Sequence, residues 1–107
     1  MDSRKDEALK VAREYFEKAS LVMDIDQVWV FGSQIREDAT IESDLDVAVV
    51  SREFDEDYFG ATEKAYLVFL EFDTNFDVEL HGLGLRRFLE GGLFVDDIKR
   101  TGIRVSI

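Results

Sequence analysis

Apolar residues along this chain keep two different periods, and the switches between them mark out its elements. Leu9, Ala12, Phe16 and Ala19 recur at helical spacing behind Ser3, a natural helix cap, which predicts a first helix running to about Met23. Gln27 to Phe31 is a short apolar run and reads as a strand. A small-residue turn at Gly32-Ser33 follows, and a short helix is predicted to start at Ser33. Leu45 to Ser51 is a second strand, whose unbroken Val47, Ala48, Val49 and Val50 predict burial on both faces. Beginning at Asp55 or Glu56, a third segment places Tyr58, Ala61, Thr62, Ala65 and Phe69 on one helical stripe. Asn75 to Leu80 is a predicted third strand. Leu85 to Glu90 and Val95 to Arg100 read as short helices, the second stopped by Gly102, and Ile103 to Ile107 as a final short strand. Strands alternating with helices make this a small α/β chain, with a mixed β-sheet flanked by helices.

The candidate chemistry lies where the first two strands meet the turn. Val28-Trp29-Val30-Phe31 leads into Gly32-Ser33-Gln34-Ile35-Arg36, and after ten residues between them Ser33 is followed by Asp44-Leu45-Asp46. Either half alone carries little weight in a chain with 24 acidic residues. The fixed spacing, with an apolar run on each side, carries more, because it demands strand, turn and strand in the right places. Gly32 lacks a Cβ, so the backbone can turn sharply and let phosphate oxygens approach. Ser33 can cap the following helix and offer its hydroxyl to a phosphate. Arg36 lies one turn along that helix, where a guanidinium reaches a polyphosphate with paired hydrogen bonds. Asp44 and Asp46 are two apart on a strand and leave from one face. Hard oxygen donors so placed suit Mg²⁺, which prefers carboxylates plus substrate phosphates. An ordinary helix cap and a solvated strand edge use the same residue types; the spacing favours a phosphate-handling, metal-dependent enzyme.

These residues resemble a known signature. Gly-Ser, ten residues, then Asp-x-Asp is similar to that of the DNA polymerase beta-like nucleotidyltransferase superfamily. The short Gly32-Ser33-Gln34-Ile35-Arg36 and Ser43-Asp44-Leu45-Asp46 segments resemble its smallest branch, the minimal nucleotidyltransferases. The likeness covers roughly Val28 to Leu80, and the rest more loosely. Glu37 departs from it, since relatives often carry Gly after the Arg; this leaves the metal ligands intact and bears on the turn. The resemblance implies a nucleotidyltransferase fold with a third carboxylate on a later strand, and in Phe76-Asp77-Val78-Glu79-Leu80 the better match is Asp77. It thus implies two Mg²⁺ ions on Asp44, Asp46 and Asp77, with the phosphates of an ATP donor held by Gly32, Ser33 and Arg36. It further implies an antitoxin that transfers AMP to a hydroxyl, with tyrosine the expected acceptor, on a HEPN-type toxin partner.

Composition and charge narrow the alternatives. At 107 residues the chain is expected to form one domain, residues 1–107, with no room for a separate acceptor domain. Hydrophobic residues make up 46%, which excludes a disordered chain, and the absence of Cys excludes disulfides and a thiol nucleophile. The polar start Met1-Asp2-Ser3-Arg4-Lys5-Asp6-Glu7 is unlike a signal peptide, and no segment is long enough to span a bilayer, so a cytoplasmic location is expected. A net charge of −11 argues against direct binding to a nucleic-acid backbone. Thr40 to Leu80 holds 12 acidic residues against two basic, whereas His81 onward holds five basic against three acidic. The acidic surface suits a basic protein partner as well as bound metal.

Two other readings compete with that enzyme: a non-catalytic antitoxin that neutralises its partner by binding, and a transferase acting on a small molecule such as an aminoglycoside. Glu79 shares a strand face with Asp77 and is a second candidate ligand or base. His81, the single histidine, reads as a structural loop residue. Trp29 and Phe31 read as core aromatics and Tyr58 to Phe72 as the buried stripe of a helix, with its surplus apolar residues Tyr66, Leu67, Phe69, Leu70 and Phe72 the alternative candidates for a partner-facing surface.

Overall fold

A computed structural model describes residues 4–32, 45–72 and 77–106. Its elements are α1 (Arg4–Ala19), β1 (Gln27–Phe31), β2 (Leu45–Val50), α2 (Glu53–Glu56), α3 (Tyr58–Phe69), β3 (Val78–Leu83), α4 (Leu85–Glu90), α5 (Leu93–Thr101) and β4 (Ile103–Val105). The four strands form a single sheet in the order β3-β2-β1-β4. The β1–β2 and β1–β4 pairs are antiparallel and β2–β3 is parallel, so the sheet is mixed as the sequence predicts.

Strand alternation divides the apolar residues between two layers. Val28, Val30, Leu45, Val47 and Val49 face α1 and α3 in one core, while Phe31, Ala48 and Val50 face α4 and α5 in a second. Both faces of β1 and β2 are therefore covered, which is why β2 reads as a nearly continuous apolar run. The helix α1 buries Ala8, Ala12, Tyr15 and Ala19, small residues except for Tyr15, so its backbone lies close to the sheet. The Tyr15 ring stacks on Phe69 at 4.7 Å, and its hydroxyl donates to the Ala65 carbonyl at 2.9 Å. Burial pushes its phenol pKa above the usual value.

Two differences from the sequence reading have clear causes. The third helical segment is two helices, because Asp57 caps α3 afresh by accepting from the Gly60 amide at 3.1 Å. That cap sets the phase of the stripe: Ala61, Ala65, Val68 and Phe69 are buried, whereas Tyr58 and Thr62 are exposed. The third strand runs on through His81 and Gly82 to Leu83 instead of ending at Leu80. Gly82 is accommodated there because the Phe54 ring of α2 occupies the place where a Cβ would stand. The helix predicted at Ser33 and the cap at Ser3 lie outside the described residues.

Candidate active site

β1 ends where β2 begins, and the register places Phe31 opposite Asp46. On the other side of β2, the parallel pairing places Asp46 directly beside Glu79, and Ala48 beside His81. Asp46, Glu79 and His81 thus leave one face of the sheet at its edge on the α5 side. A donor atom from each lies within 4.8 Å of the other two. His81 Nε2 is 3.1 Å from Asp46 Oδ1, and the two side chains retain only 25% and 19% of their exposure. The imidazole packs against two phenyl rings, with centroids 5.1 Å from Phe31 and 5.7 Å from Phe94, which also meet each other at 5.9 Å.

Gly32 completes this corner. Its φ is +87°, a conformation that favours glycine, and a Cβ there would run into the Asp46 carboxylate, with Cγ at 3.0 Å. The sequence reading gives Gly32 a role in admitting phosphate; the structure adds that it also makes room for Asp46. Gly32, Asp46 and Phe31 line a cavity of about 560 Å³, closed on the α5 side by Asp97, Arg100 and Thr101. Arg100 pairs with Asp97, Nη2 to Oδ1 at 2.6 Å, and both are exposed, so the guanidinium can exchange that partner for a phosphate. The volume falls within the range of small-molecule sites.

Of the residues singled out from sequence, Gly32 and Asp46 adjoin in this corner. Ser33, Arg36 and Asp44 lie outside the described residues. Asp77 stands at an exposed position just before β3, with its carbonyl accepting from the Leu45 amide at 2.7 Å. Its carboxylate is not part of the cluster, in which the β3 carboxylate is that of Glu79. Asp97, Arg100 and Thr101 are additions that the sequence reading missed; the surplus of basic residues after His81 was the one signal pointing toward them.

The donor set fits a divalent cation. Two carboxylates side by side repel one another and a cation between them offsets this, while imidazole is a common metal ligand.

The sequence profile of the polymerase beta nucleotidyltransferase family matches residues 11–83, more than half of the chain. The chain belongs to this family. Strands β1, β2 and β3, with Gly32 and Asp46, all fall within the matched span. A crystal structure from Sulfolobus solfataricus, of a protein provisionally described as a nucleotidyltransferase, superimposes with a TM-score of 0.59 at 21% identity, covering 97% of this chain and 87% of that one. This likeness establishes the shared nucleotidyltransferase fold. No curated protein sequence matches the chain. Among the described residues, no helix of the domain is long and apolar enough to cross a membrane.

Proposed function

We propose that this domain transfers AMP from ATP to a hydroxyl, with a divalent cation held at the head of β2. The observation that carries the reading is the register of Asp46 against Glu79, beside Gly32 and at the mouth of a cavity with Arg100 on its far wall. In the reaction the acceptor oxygen attacks the α-phosphorus in line. The new O–P bond forms as the bridging P–O bond to the β-phosphate breaks, and pyrophosphate leaves with the electron pair. When bound, the cation neutralises phosphate charge and lowers the pKa of the acceptor hydroxyl.

The chain's own residues orient and neutralise. Asp46 fixes the cation, assisted by Asp44 on the sequence pattern, and Gly32 leaves room for both carboxylate and phosphate. Arg100, together with Ser33 and Arg36 on the same pattern, offers positive charge and hydrogen bonds to the departing pyrophosphate. The acceptor's proton passes to a carboxylate at the strand ends, Asp77 on the family resemblance. Mg²⁺ is the cation that such carboxylate and phosphate oxygens usually take.

The acceptor we propose is a protein, a HEPN-type toxin silenced by addition of AMP to a tyrosine, as the resemblance implies. The exposed apolar residues Phe59, Tyr66, Leu67 and Leu70 of α3 and its C-terminal end support a protein partner, and equally support neutralisation by binding alone. Incubating the domain with such a partner, ATP and Mg²⁺, then weighing both proteins intact, separates the two. An added AMP on the partner, lost with Asp46→Asn, is the expected result. Full neutralisation by the Asp46→Asn variant with no adduct from the wild type would mean that binding alone suffices.

A further inference from the structure

We propose that His81 is a direct ligand, and that the ion it shares with Asp46 and Glu79 is a transition metal, Mn²⁺ for choice, distinct from the Mg²⁺ carried in on the nucleotide's phosphates. The proposal rests on the reading that Asp46 holds a divalent cation and adds which ion and which third donor.

Spacing is the first argument. Donors about 2.1–2.2 Å from one ion and at right angles to each other stand about 3.0–3.1 Å apart. His81 Nε2 and Asp46 Oδ1 are separated by 3.1 Å. An oxygen of Glu79 completes three donors within 4.8 Å. That separation also suits a hydrogen bond in which Nε2–H donates to the carboxylate, the arrangement expected while no ion is bound.

Restraint of the ring is the second. Phe31 of β1 and Phe94 of α5 pack together against one side of the imidazole, which limits its movement while Nε2 faces Asp46. Two phenyl neighbours supply no competing donor or acceptor, and they lower the local polarity, which strengthens binding of a cation to the carboxylates.

Chemistry of the donor set is the third. Mg²⁺ takes oxygen and gives up water reluctantly, so a nitrogen aimed at its site gains it little. Mn²⁺ accepts carboxylates as readily and imidazole better, and affinity for nitrogen rises across the later first-row ions.

Pulsed electron paramagnetic resonance on the protein loaded with Mn²⁺ alone tests this directly, because an imidazole nitrogen bound to the ion modulates the echo decay. We expect nitrogen modulation in the wild type. His81→Asn is expected to lose it and to lower Mn²⁺ affinity about 10-fold or more relative to Mg²⁺ affinity, both by calorimetry. Bound Mn²⁺ without nitrogen modulation in the wild type overturns the proposal and leaves His81 as a positioning residue for Asp46. An unchanged Mn²⁺ to Mg²⁺ affinity ratio in a folded His81→Asn protein also overturns it. Failure of Mn²⁺ to bind while Mg²⁺-dependent ATP binding persists overturns this proposal alone. Failure of both cations to bind or to support ATP binding overturns the underlying metal site as well.

Discussion

The two ends of β2 both carry polar side chains, yet they handle charge in opposite ways. At the far end the fully buried Ser51 hydroxyl donates to the Asp24 carbonyl at 2.8 Å and accepts from the Glu53 amide at 3.1 Å. Glu53 in turn accepts from the Asp24 amide at 2.6 Å and pairs with Lys64 at 2.9 Å. The Asp24 amide and the Lys64 ammonium hold the Glu53 carboxyl below its usual range. At the near end, Asp46 is set beside another carboxylate, Glu79, and meets a histidine. One end pairs Glu53 with Lys64 and Asp24 with Arg52, and closes the fold. The other concentrates negative charge around a cavity, at a cost to the metal-free protein, and so is suited to a cation. A carboxylate's role is set by what stands next to it.

The largest effect should come from breaking the near end. Asp46→Asn removes a charge-bearing oxygen where transition-state charge is balanced, so pyrophosphate release should fall about 10²–10³-fold. Thermal stability of the metal-free variant should hold or rise, since repulsion with Glu79 is relieved. A large drop in stability would mean that the near end is structural after all.

Gly32→Ala forces a side chain into a left-handed conformation and against the Asp46 carboxylate. We expect a loss of about 1–3 kcal/mol in urea unfolding, with metal affinity falling alongside. A variant of wild-type stability that still binds metal would show that the corner tolerates a Cβ.

Ser51→Ala attacks the far end. It strips a partner from the Asp24 carbonyl and from the Glu53 amide, so stability should fall by about 1–2 kcal/mol while catalysis in the folded protein is unchanged. Loss of activity without loss of stability would erase the contrast between the ends.

The smallest effect is a pH dependence. Because the folded-state pKa of Glu53 is lowered, its contribution is complete above the unfolded value near 4.5 and is lost as pH falls through the folded value. Wild type should therefore lose more stability than Glu53→Gln on acidification below about 4.5, as read by unfolding midpoints across pH. Parallel curves would assign the acid sensitivity to other carboxylates.

Local pattern made most of the frame legible. Gln27–Phe31 and Leu85–Glu90 match their predicted spans, since short apolar runs between turn residues need little tertiary context. The near end was half legible. Gly32 and Asp46 follow from residue type and spacing, but which β3 carboxylate faces Asp46 depends on the register of a parallel pair joined through α2 and α3. Asp77 and Glu79 share a face in either register, so alternation alone does not separate them. His81 reads as a structural loop residue when the strand is taken to end at Leu80, and only the packing of Phe54 against Gly82 explains why the strand continues. Arg100 reaches the cavity through the docking of α5 beneath Phe31, a contact with no local sequence signal.

Calorimetry of ATP binding tests the central claim, that the head of β2 holds a cation through which nucleotide is bound. Wild type should bind ATP with a divalent cation present and at least about 10-fold more weakly in a chelator, whereas Asp46→Asn should show the weak affinity in both conditions. Equal affinity with and without the cation, or an Asp46→Asn protein that binds as the wild type does, would contradict the account.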